Sequence, residues 1–75
     1  MNRLVQAHYE TALTEALNAP ADEICEMYLN QARGMAEYGF LIRDISSAQF
    51  ELQIQRQNGI RTQRSARRNA TGVAA

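Results

Sequence analysis

The sequence predicts an all-α fold: an antiparallel helical hairpin with a short first helix, a long second helix and a basic, flexible C-terminal tail, assembling into a helical bundle. Three observations carry this. Apolar residues recur at three-and-four spacing through most of the chain, Pro20 interrupts that pattern once, and charge segregates by sign. Residues 1–51 hold eight acids against Arg3, Arg33 and Arg43, a net of −5. Residues 52–75 hold five arginines and no acid, a net of +5.

The first segment covers residues 2–18. Leu4, Val5, His8 or Tyr9, Ala12, Leu13, Ala16 and Leu17 share one helical face, and Gln6, Glu10, Thr14 and Asn18 lie opposite. Asn18-Ala19-Pro20 then ends the helix. Asp22 and Glu23 come next, where the positive end of a helix dipole favours acids, so a second helix starts within a few residues. A connection that short makes the two helices antiparallel neighbours.

The second segment is expected to run as one helix over residues 20–57. Ile24, Tyr28, Gln31, Met35, Tyr38, Ile42, Ile45, Gln49 and Leu52 alternate by four and three, a heptad seam of about four heptads. Met27, Gly34, Leu41 and Ala48 form a mostly apolar flank, and Cys25, Ala32, Gly39 and Ser46 a uniformly small one. At 1.5 Å per residue the first helix is about 25 Å long and the second about 55 Å. The hairpin therefore covers only the near half of the long helix. Beyond it, Leu41, Ile42, Ile45, Phe50, Leu52 and Ile54 lack cover from their own chain, and a second copy or another protein must supply it. Met35, Tyr38, Leu41, Ile42, Ile45 and Leu52 are the expected oligomer interface. Phe40 and Phe50, off the seam, are the expected anchors for a protein partner.

The third segment is residues 58–75. Asn58-Gly59 reads as a helix stop, and the residues beyond it hold too few apolar side chains to order themselves. Arg56, Arg61, Arg64, Arg67 and Arg68 are the candidate contacts to an anionic partner, nucleic acid or an acidic protein surface. No aromatic residue interleaves them, so base stacking is unsupported.

Enzymatic chemistry finds no support. His8 and Cys25 are each the only residue of their kind, short of the four ligands a zinc site takes. The glycines are scattered and make no phosphate loop, and no metal or cofactor is expected. No secretory signal and no membrane-spanning apolar run is present, so the chain is expected in the cytoplasm or inside a particle, neither secreted nor in a membrane. A single small domain of this length has a marginal core, and one cysteine allows no internal disulfide, which leaves self-association as the route to stability. The expected function is non-enzymatic: a small protein-interaction module, meaning an adaptor, inhibitor or assembly subunit, working as a homodimer or higher oligomer with a protein partner. Small chains of this form are common in phages and mobile elements, an analogy of fold alone. The alternatives are a nucleic-acid-binding accessory protein using the arginine tail, and a structural subunit of a larger particle.

Overall fold

A computed structural model describes residues 2–74, with side chains described for residues 2–70. Among them the chain is all-helical: α1 (Arg3–Leu17), α2 (Asp22–Leu41) and α3 (Ser47–Ala74). The expected two-helix hairpin is thus a three-helix arrangement. The expected helix over 20–57 breaks at residues 42–46, and the expected tail, as far as residue 74, is the body of α3.

Each boundary has a local cause. Asn2 caps α1, its side-chain oxygen accepting the Val5 N–H at 2.8 Å. Pro20 lies in the turn before α2, whose first turn carries Asp22 and Glu23. At the end of α2 the Arg43 N–H donates to the Phe40 carbonyl at 3.1 Å and the Asp44 N–H to the Gly39 carbonyl at 2.8 Å. That pair of bonds is a Schellman motif, and it places Arg43 in the left-handed region with φ 62°. Ser46 then caps α3. Its hydroxyl accepts the Gln49 N–H at 3.1 Å, and the Gln49 side-chain oxygen accepts the Ser46 N–H at 2.7 Å. This reciprocal capping box starts a new helix a few residues after the last one ends. Ile45 and Phe50 occupy the two positions of a hydrophobic staple around that cap.

The core lies where α1 meets α2, and the residues that make it are mostly small. Tyr9, Ala12, Leu13 and Ala16 of α1 are buried against Cys25, Leu29, Ala32 and Ala36 of α2, with Gly39 also buried. The buried side of α2 is therefore the small flank of the heptad pattern, with Leu29 and Ala36 added, and the large residues are turned aside. Helix axes approach to a distance set by the side chains between them, so alanine and glycine rows allow the closest packing. Close packing of backbones recovers in dispersion what the small side chains lack in area.

α3 runs antiparallel to α2 and parallel to α1, as its contacts show. Phe50 meets Phe40, and Arg61 and Arg64 meet Glu26 and Asp22, whereas Arg56 meets Glu10 and Arg64 reaches Ala16. Its inward row is mixed: Phe50 and Ile60 pack on the core, while Gln57 is buried and polar. Gln57 is satisfied by donating to the Tyr9 hydroxyl at 3.4 Å, and that hydroxyl donates to the Gln53 carbonyl at 3.2 Å. No buried side-chain polar atom among the described residues lacks a partner. Asn58-Gly59 does not stop the helix, because Gln57, Ile60, Arg61 and Arg64 are held by tertiary partners on both sides of it.

Candidate interaction surface

Arg56, Arg61, Arg64 and Arg68 of the C-terminal segment pair with carboxylates of the same molecule. Arg56 makes a two-pronged pair with Glu10, its shorter contact 2.6 Å, and lies 5.7 Å from the centre of the Tyr9 ring. Arg61 makes a second two-pronged pair with Glu26, both contacts 2.9 Å. Arg64 and Arg68 share Asp22 at 3.1 and 2.6 Å. Arg67 lines the cleft beside them with residues 17–22. Hydrogen bonds from Arg56 and Arg61 hold the Glu10 and Glu26 carboxyls below the usual carboxylate range, and those from Arg64 and Arg68 do the same for Asp22. The charge asymmetry of the sequence thus closes on itself: the basic helix lies along its own acidic body.

Arg64 does more than pair. Its side chain is only 15% exposed, and Nη1 donates to the carbonyls of Ala16, Leu17 and Ala19 at 3.2, 3.3 and 2.8 Å. Those carbonyls belong to the end of α1 and the turn after it, where a helix leaves acceptors short of internal partners, although that of Ala16 also accepts the Ala19 N–H at 3.3 Å. The guanidinium therefore caps α1 from α3.

The expected interface residues scatter. Ile45 is buried in the chain's own fold, at the joint between α2 and α3. Leu52 is exposed on α3, Tyr38, Leu41 and Ile42 are exposed on α2 and its cap, and Met35 is half-buried against the core. Phe40 and Phe50 stack on each other with ring centres 5.2 Å apart, Phe50 partly packed on the core. A different set stays together. Ile24, Met27, Tyr38, Leu41 and Ile42 are exposed along α2 and its C-terminal cap, with Tyr38 and Leu41 the most open at 65% and 75%. Gln31 and Gly34 complete the row, and Tyr28 and Met35 border it, half-buried against the core. The heptad pattern contains all of these residues in its seam and flank, but periodicity alone points the seam toward the inside of the hairpin, and the fold turns it outward.

Cys25 is buried, and burial pushes its thiol up, which makes it a poor nucleophile. Among the described residues no group of three His, Cys, Asp or Glu side chains could hold a metal ion. No helix of the described residues is long and apolar enough to cross a membrane. Neither a protein family, nor a curated protein, nor a solved structure matches this chain.

Proposed function

We propose that this protein is a non-enzymatic protein-interaction module whose working surface is the exposed apolar face of α2. One observation carries the reading: Ile24, Met27, Tyr38, Leu41 and Ile42 stay open along a single helix and its cap while the same helix buries Cys25, Leu29, Ala32, Ala36 and Gly39. Large side chains favour burial, so a helix that turns most of its small residues inward and leaves several large ones open has a use for the display. The patch amounts to roughly 500 Å², taking about 200 Å² for a fully exposed large side chain. That matches the largest patch of a typical monomer, which is often functional, although Gln31 and Gly34 divide it into two groups. The arginine segment supports a nucleic-acid role less well, since Arg56, Arg61, Arg64 and Arg68 each already face a carboxylate.

The test is capture at one position. A photoreactive amino acid at Leu41 should form protein adducts in an extract of the native host, whether with the same chain or another. The same group at exposed Thr62 on α3 should form few. If Leu41 captures no protein while Thr62 captures nucleic acid, the module reading fails and the arginine helix takes its place.

A further inference from the structure

We infer that the occupant of the α2 face is a second copy of the same chain, paired antiparallel about a two-fold axis between residues 32 and 33. This rests on the interaction-module reading and names its partner. The exposed row is Ile24, Met27, Gln31, Gly34, Tyr38 and Leu41, with spacing three, four, three, four, three. That spacing is the same read from either end. A two-fold interface must present one patch to itself, so that residue i meets j and j meets i. Antiparallel pairing does this in three layers: Ile24 on Leu41 of the copy, Met27 on Tyr38, and Gln31 on Gly34. The row is centred on α2, which spans Asp22–Leu41, so the two helices overlap along nearly their whole length.

Volume selects antiparallel over parallel. In a parallel pair Tyr38 would meet Tyr38 and Gly34 would meet Gly34, one layer overfull and one empty. Antiparallel pairing sets the Gln31 stem in the gap at Gly34 and a flexible methionine against tyrosine, so the layers even out. Gly34 fits the same pairing. It costs about 1 kcal/mol in a helix interior, and a Cβ added there would meet nothing within 4 Å in this chain. Its own fold gives it no packing role, whereas it sits at the closest approach of the paired helices. Gln31 fixes register, since sliding by one layer would set its amide against an apolar residue. No charged side chain lies in the row itself; Glu23 and Glu37 flank it at its two ends. Two patches bury on the order of 1,000 Å² with Ile42 counted and before Tyr28 and Met35 at the border are included, the lower limit for a specific interface.

Sedimentation equilibrium over roughly 1–300 µM, the range for a modest interface, tests the pairing. The wild type should show a monomer–dimer equilibrium with a monomer of 8.4 kDa. Leu41→Asp and Gly34→Leu, both at open positions that leave the helices folded by circular dichroism, should each weaken dimerisation at least tenfold. Raised salt should leave it unchanged or tighten it. Orientation is read from a Met27→Cys, Tyr38→Cys double variant, oxidised and mapped by peptide mass. Positions 27 and 38 of one helix are about 16 Å apart, too far for an internal disulfide, so only a partner can link them. Links joining 27 to 38 between copies support the pairing, and links joining 27 to 27 overturn it. A wild type that stays monomeric, or a dimer indifferent to Leu41→Asp, also overturns it. A monomer whose Leu41 still captures other proteins overturns the self-pairing alone and leaves the module reading standing.

Discussion

Replacing Arg64 with methionine should undo the join between α3 and the end of α1, at a loss of about 2 kcal/mol. The magnitude is set by its contacts. Nη1 carries two hydrogens and serves three carbonyls, at 2.8, 3.2 and 3.3 Å, so it supplies about two bonds' worth of donation. A hydrogen bond from a charged donor is worth roughly 1.5–3 kcal/mol, so two in a dry site set an upper range of about 3–6 kcal/mol. This site is not dry. The cleft lined by Leu17, Pro20, Asp22 and Arg64 is open, and water entering it would recover part of the loss. Methionine keeps most of the alkyl stem, so lost packing adds little. Urea unfolding followed by circular dichroism reads the change. A chain this short has a slope near 1 kcal/mol per molar, so the midpoint should fall by about 2 M. Arg33→Met is the control, because Arg33 makes only an exposed i,i+4 pair with Glu37 and should cost roughly 0.3–0.5 kcal/mol. If Arg64→Met loses no more than Arg33→Met, the carbonyl contacts do not hold the bundle and the reasoning is wrong.

The remaining predictions concern backbone, core and pH. Arg43→Gly should stabilise by about 1 kcal/mol, because Arg43 holds a left-handed conformation that glycine adopts freely. Gly59→Ala should stabilise by a similar amount, since a Cβ there meets nothing within 4 Å and α3 runs straight through it. A thermal melt that moves downward for either variant would contradict the structure at that position. Tyr9→Phe should cost about 1–3 kcal/mol by orphaning the Gln57 amide, while the Gln53 carbonyl keeps its helical bond, and adding Gln57→Leu should recover much of it. A double variant no more stable than Tyr9→Phe would argue against that network. The Glu10, Glu26 and Asp22 carboxyls have folded pKa values depressed by their arginines, from ordinary values of 4.5, 4.5 and 3.8. Their contribution is therefore fully present above the unfolded values and is lost as pH falls through the lower folded ones. Thermal midpoints should be flat from neutral pH to about 5.5 and fall steadily below about 4.5. A midpoint unchanged at pH 3 would mean that the pairs add nothing to stability.

Much of this fold is readable from local signals. The apolar spacing of residues 4–17, the interruption at Pro20 and the acids at 22 and 23 determine two antiparallel helices, because each signal acts within one turn of chain. The second boundary is also written locally, in Ser46 and Gln49 flanked by Ile45 and Phe50. It is hard to read for two reasons. The stop before it uses Arg43 where glycine is usual, and a heptad rhythm runs unbroken across the joint from Ile42 to Leu52. Periodicity reports which residues share a face, but it does not notice that the chain has turned. Asn58-Gly59 misleads in the opposite sense, since a weak helix former is carried through when partners hold the turns on either side.

Two things only the tertiary structure decided. One is which stripe of α2 faces inward: both a large and a small row have helical spacing, and the small row wins because a third helix must fit close to the other two. The other is where the charge goes. The sequence by itself determined an acidic body and a basic end. Only the packing of α3, antiparallel to α2 and beside α1, brings Arg56, Arg61, Arg64 and Arg68 within reach of Glu10, Glu26 and Asp22. Those pairs span 35 to 46 residues of chain, and contacts at that separation leave no local signature.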